Sequence, residues 1–177
     1  SSGQIVHTME CGEDDPIDNF VITPNQQILI TIHNQSNMIK AWNIDTKLLI
    51  TNFKSQHKSS ILTAQCDPSG TFLATASADQ SVDIRYISNG HLTHHFTNHG
   101  SSISVLAWHP DASKLLLAVG TQEGVIRVHW LGSGTLTPPG NNKNTVVTGP
   151  KHYDLLRQDY DGTPKKSHLG RITALSW

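Results

Sequence analysis

Short apolar or alternating runs, each about six residues long, recur along the chain between turn-forming residues. The clearest series lies in residues 57–98. Residues 61–66 lead into Asp67-Pro68-Ser69-Gly70, 72–77 into Ala78-Asp79-Gln80, and 82–87 into Ser88-Asn89-Gly90, and 92–97 closes the series. Runs of this length bounded by Pro, Gly, Asp and Asn predict strands joined by tight turns. Four such strands in about 40 residues predict one antiparallel four-stranded unit.

The unit recurs. Ile17, Ile61, Ile103 and Ile172 each open the same kind of run, and Thr23-Pro24, Asp67-Pro68 and His109-Pro110 follow in step. Pro24 and Pro68 are 44 positions apart, and Pro68 and Pro110 are 42 apart. His57, His99 and His168 each stand four residues before an opening Ile. The 69 positions from His99 to His168 equal one period of about 42 plus an insertion of roughly 27 residues. A third marker is the third run: 39–44, 82–87 and 126–131.

A period of this length with four strands is the signature of WD-repeat propellers. The expected fold is all-β, a partial WD-repeat β-propeller whose blades stack their faces to make a core. The blades fall at 17–53, 61–97 and 103–131. The last strand of a preceding blade is expected at 4–10, an insertion at 132–167, and the start of the next blade at 172–177. An open array leaves bare strand edges, so the chain reads as part of a larger propeller.

Composition narrows the function. Hydrophobic content is 36%, charged content 15% and net charge −1, as in a globular chain with no overall electrostatic footprint for nucleic acid or a membrane. Any RNA contact has to be local. No apolar run approaches the ~20 residues of a membrane span. Cys11 and Cys66 are the two thiols, and both read as buried and reduced, which favours the nucleus or cytosol.

Several residues attract chemical attention. Glu13, Asp14 and Asp15 form an acidic connector, read as a solvated loop rather than an acid–base pair. His91, His94, His95 and His99 crowd one region, but His94 and His95 are adjacent in a strand and face opposite ways. No Cys lies near enough in sequence to complete a zinc site. No nucleophile elbow or phosphate-binding loop occurs, so no catalytic, cofactor or metal residue is assigned and no enzyme is expected. Within 132–167, Pro138-Pro139-Gly140-Asn141-Asn142 is turn-rich, residues 153–160 read as one or two helical turns, and Lys165 and Lys166 add a basic patch. The insertion reads either as a partner-binding element or as a spacer.

WD-repeat proteins commonly join a His before the first strand, an Asp in the turn before the third, a Ser or Thr, and a third-strand Trp in one hydrogen-bonded set. The resemblance places His57 and Asp79 in that set for the second blade, with Trp42 and His99 as the matching positions in the first and third. Arg85 stands where the second blade's Trp belongs. It has to snorkel or pair, and is otherwise a contact for a partner carboxylate or phosphate. In the third blade the aromatic, Trp130, comes one place late. Either a bulge restores it or His129 fills the place.

A closer resemblance lies in Asn89-Gly90-His91-Leu92-Thr93-His94-His95-Phe96, in Val105-Leu106-Ala107-Trp108-His109-Pro110-Asp111, and in the Leu-rich run from Lys114 to Leu117. These resemble the transducin beta-like, U-three-associated protein thirteen family of the small-subunit processome. The resemblance covers about 4–131 and 168–177. It implies a non-enzymatic nucleolar scaffold in pre-ribosomal RNA processing. The implied partners are other WD-repeat proteins of the UtpB subcomplex, the U-three small nucleolar ribonucleoprotein and pre-ribosomal RNA. A generic WD adaptor, such as a ubiquitin-ligase substrate receptor or signalling scaffold, shares every fold feature.

Overall fold

The structure, a computed structural model, describes residues 5, 8–9, 14–132, 151–155, 157–158, 164–165 and 171–177, those from 151 to 165 as backbone only. The first sheet joins β1 (Asn19–Ile22), β2 (Ile28–His33), β3 (Met38–Asn43) and β4 (Leu49–Lys54) in that order. The second joins β5 (Ile61–Cys66), β6 (Phe72–Ser77), β7 (Val82–Tyr86) and β8 (Leu92–Phe96). The third joins β9 (Ile103–Trp108), β10 (Leu116–Thr121), β11 (Ile126–Trp130) and β12 (Lys151–Leu155). All neighbours are antiparallel. Two short strands, β13 (Arg157–Gln158) and β14 (Pro164–Lys165), pair beyond them.

Turn chemistry fixes these boundaries. After β5, the Asp67 carboxylate accepts the backbone N–H of Ser69, Thr71 and Phe72 at 3.1, 2.8 and 2.6 Å. That folds the chain back on itself without leaving buried donors unpaired. Gly90 closes the β7–β8 turn at φ +70°, and a Cβ there would lie 2.3 Å from the Phe53 ring. Only glycine both adopts that backbone and leaves room for the ring.

Side-chain alternation sorts each sheet into two faces. Ile30, Ile32, Ile39 and Ala41 of the first sheet pack against Ile61, Cys66, Leu73 and Ile87. The opposite face of the second sheet, with Ala74, Ala76, Val82 and Ile84, packs against Ile103, Leu106, Trp108, Leu117 and Val119. Each fully buried Ile or Leu contributes about 1.5–3 kcal/mol, so the core is a stack of sheet-to-sheet layers.

The docking geometry repeats. Trp108 Nε1 donates to the Gln65 carbonyl at 3.1 Å, and Trp177 Nε1 donates to the Ala107 carbonyl at 3.0 Å. Each Trp is five places after an opening Ile, and each acceptor is four places after the preceding one. The 171–177 segment carries no strand pairing of its own. It nevertheless docks on the third sheet as that sheet docks on the second, with Ile172 buried and its N–H donating to the Thr121 carbonyl at 3.0 Å.

The reading of residues 132–167 changes, and other expectations fall outside the described residues. Of residues 153–160, those described are strand and not helical turn: Lys151–Leu155 is a strand whose pairing runs from Ile126↔Leu155 to Trp130↔Lys151, and Arg157–Gln158 is a second, short strand. The third sheet therefore takes its outer strand from inside the stretch read as an insertion. The strand expected at 4–10 falls mostly outside the described residues, and Ile5, Thr8 and Met9 are not in a strand. Cys11 and Lys166 lie outside the described residues, and Lys165 is described as backbone in β14.

Candidate functional site

The sheet registers define equivalent positions. Leu29 pairs with Trp42, Leu73 with Arg85 and Leu117 with His129. The third-strand place taken by Trp42 is thus taken by Arg85 and His129 in the next two sheets. No bulge interrupts β10–β11. Trp130 is buried on the opposite face, paired with Leu116, and does not occupy the Trp42 place.

Three chains of polar groups run through these positions. In the first sheet, Trp42 Nε1 donates to Thr31 Oγ1 at 3.0 Å, and Thr31 Oγ1 lies 2.9 Å from His33 Nε2. His33 Nδ1 faces the Asp15 carbonyl at 2.9 Å. A carbonyl only accepts, so Nδ1 carries the hydrogen. Beside it, the Asp15 carboxylate accepts from Lys40 Nζ and Ser36 Oγ at 2.9 Å each. The Lys40 hydrogen bond holds that carboxyl below the ordinary range.

In the second sheet the chain is Thr75, His57, Ser81 and Asp79. Asp79 Oδ1 accepts from Ser81 Oγ at 2.5 Å and from the Ser81 N–H at 2.9 Å, and Oδ2 accepts from the Lys58 N–H at 2.6 Å. Burial pushes the Asp79 carboxyl up, but these donors and His57 outweigh it and hold it at about 2. Since the Ser81 hydroxyl hydrogen is committed to Asp79, its oxygen accepts from His57 Nδ1 at 2.8 Å. Burial lowers the His57 pKa more than Asp83 and Asp79 raise it. The neutral ring then accepts from Thr75 Oγ1 at Nε2, at 2.9 Å. Every buried polar atom of that chain has a partner, which is what makes such a network rigid.

In the third sheet two imidazoles meet directly. His99 Nδ1 donates to the Gln80 carbonyl at 2.8 Å, and His99 Nε2 is 3.0 Å from His129 Nε2. With a neutral His99 ring its Nε2 accepts, so His129 Nε2 donates. Phe96 stacks on His129 with centroids 4.1 Å apart, tying β8 to the third sheet.

Arg85 does not reach solvent. It is 4% exposed, so it cannot serve as the surface contact that its sequence position suggested. Its Nη2 meets Asp83 Oδ2 at 3.1 Å, Nη1 donates to the Gly90 carbonyl at 3.1 Å, and the guanidinium sits 5.5 Å from the Phe53 ring centre. Asp83 is fully buried, and its other oxygen lies 2.6 Å from Nδ1 of the half-exposed His95. His57 Nε2 is 3.9 Å away. Where Trp42 brings an apolar ring and one N–H, the second sheet substitutes a paired charge.

Two further features bear on chemistry. The Cys66 thiol is pushed up to about 12, chiefly by burial and then by Asp67, so it stays protonated and inert near neutrality. A groove of about 370 Å³ opens over the outer face of the first sheet, lined by Met9, Ile17, Phe20, Ile22, Leu29, Thr31 and Ile44. It offers one hydroxyl and no acid, base or thiol. Phe20 and Leu29 hold the places that Ala64 and Leu73 hold in the second sheet, where that face is covered by the first. Sequence reasoning missed His33 and Asp83. Thr31 and His33, two apart on one strand face, were the available signal for the first, and a charge two places from Arg85 was the signal for the second.

A family profile, the anaphase-promoting complex subunit 4 WD40 domain, matches residues 21–111. Transducin beta-like protein 3 of Bos taurus is 27% identical over 128 residues, which is 72% of this chain and 16% of that protein. U3 small nucleolar RNA-associated protein 13 of Saccharomyces cerevisiae is 33% identical over 108 residues, 61% of this chain and 13% of that protein. The chain thus spans a small fraction of the relatives it matches. The solved structure of U3-55K superposes with a TM-score of 0.59 at 18% identity, covering 66% of this chain and 36% of that one, a likeness of fold.

Proposed function

The chain belongs to the WD40 family represented by the profile that matches its residues 21–111, and from that premise we propose that it is a non-enzymatic scaffold in small ribosomal subunit biogenesis. One observation carries this reading. A cattle protein named transducin beta-like protein 3 and a yeast protein whose name associates it with U3 small nucleolar RNA are both similar to this chain over more than 100 residues. The physical logic agrees: stacked sheets locked by buried polar chains present loops at fixed angles and need no catalytic pocket.

In this reading, residues 17–53, 61–97 and 103–131, the last completed by β12, are blades of a propeller in a longer protein. Its partners are other WD-repeat proteins of the UtpB subcomplex, and it works beside the U-three ribonucleoprotein and pre-ribosomal RNA in the nucleolus. A second reading, an adaptor in another multiprotein assembly, is favoured by the profile's own name. Imaging the tagged full-length protein at its native expression level separates them. The scaffold reading predicts overlap with a nucleolar marker. A signal confined to the cytosol, or spread through the nucleus and excluded from nucleoli, would refute it.

A further inference from the structure

The first two sheets make the same bulge in their outer strand and fill it with opposite chemistry. In the first sheet the register jumps between Ala41↔Thr51 and Trp42↔Leu49, leaving Ile50 as the extra residue. In the second it jumps between Ile84↔His94 and Arg85↔Leu92, leaving Thr93. A bulge leaves one residue unpaired, bends the strand and re-aims its side chain. In the second sheet the extra residue is polar, and its hydroxyl donates to the Ile84 carbonyl at 2.9 Å. The turn residue before it is His91, and Leu92 is half-buried. In the first sheet the same three places carry Leu48, Leu49 and Ile50, which are 67%, 43% and 46% exposed. The fold does not require an apolar triplet here, because the second sheet makes the bulge without one. Exposing three consecutive apolar residues at a sheet edge is also a pattern that proteins ordinarily avoid.

We propose that Leu48, Leu49 and Ile50 form a docking patch for an extended, apolar segment of a partner protein that carries acidic residues at its ends. Charge supplies the second half of the specification. Exposed Lys47 and Lys54 bracket the patch, and with Asp45 in the preceding turn the local balance stays positive. A second copy of this chain is a poor occupant. Two copies would bring two patches of net positive charge together, and like charges across an interface oppose association. The edge of β4 itself is unpaired among the described residues, so a segment lying along it meets apolar side chains first and lysines at both ends. The patch meets the first polar chain at the Trp42↔Leu49 pairing, and it stands whether or not the ribosome-assembly reading does.

The test is fluorescence polarisation of the full-length protein against two labelled synthetic peptides. Both alternate valine and threonine over seven residues, one ending in glutamates and the other in lysines. The glutamate-ended peptide should bind at least about 10-fold more tightly than the lysine-ended one, as expected for rim charges combined with an apolar anchor. The double variant Leu48→His, Ile50→Thr installs the residues the second sheet already tolerates, so the fold is retained. It should lose that binding by about 10-fold or more. Lys47→Glu with Lys54→Glu should reverse the peptide preference. Equal binding of the two peptides, or binding untouched by the double variant, overturns the proposal. So does sedimentation showing a dimer that the double variant dissolves, which makes a second copy the occupant.

Discussion

Replacing Asp83 with alanine is expected to destabilise the second sheet by about 3–5 kcal/mol, the cost of leaving one member of a buried ion pair unpaired. Asp83 is fully buried and receives Arg85 Nη2 at 3.1 Å and His95 at 2.6 Å. Without it, the Arg85 guanidinium keeps only the Gly90 carbonyl and the Phe53 face, in a place too buried for water to replace the carboxylate. The loss is read from hydrogen exchange of the β6 and β7 amides in the full-length protein, which reports local opening free energy. The double change Asp83→Ala, Arg85→Leu removes both charges and should recover a large part of the loss, since an apolar pair of similar size is often neutral. Additive losses in the double variant would mean that Arg85 and Asp83 do not act as a unit.

The second large effect is at His57. Substituting alanine removes a ring whose two nitrogens are bonded to Ser81 and Thr75 and leaves both hydroxyls buried without it. The expected cost is about 2–4 kcal/mol near neutral pH, from the lost hydrogen bonds and the cavity together. The cost depends on pH in a defined direction. Burial lowers the folded-state pKa of His57, while the unfolded ring titrates near about 6.5. The stabilisation from the neutral ring is therefore complete above that value. It declines as pH falls below it, because the unfolded chain then binds the proton first. The difference between wild type and His57→Ala should narrow from pH 7 to pH 5. Asp79, held at about 2, works in a lower window: its contribution persists above about 3.8 and fades between there and about 2. A wild-type-to-variant gap that stays constant from pH 7 to pH 5 would contradict a neutral buried His57.

Much of the architecture was legible because repeats write the same physics several times. Strand positions followed from apolar runs between turn residues, and β5 and β6 fall on residues 61–66 and 72–77, where the pattern put them. β12 was not legible. Lys151-His152-Tyr153-Asp154-Leu155 carries only two apolar residues and lies far outside the repeat's period, and the outer edge of β11 supplies the pairing that makes it a strand. The polar chains were half legible. His57 and Asp79 stand at recognisable spacings and do share one chain. Arg85 was visible as an oddity in the Trp place, and Asp83 two places away was a readable partner, but its burial was not legible, because the Phe53 ring and the Gly90 carbonyl that enclose it come from another sheet and from the following turn. Trp130 misled for a related reason: an aromatic one residue off register faces the other side of the sheet, and His129 holds the place instead.

The central claim, that this chain is part of a WD-repeat scaffold in small-subunit assembly, is tested most directly by affinity purification of the tagged full-length protein with and without ribonuclease. The account predicts co-purification of other WD-repeat proteins of the small-subunit processome, and that their recovery survives ribonuclease because propeller surfaces and not RNA hold them. Recovery of a ubiquitin-ligase or signalling assembly, with no ribosome-assembly factors in either arm, would contradict it.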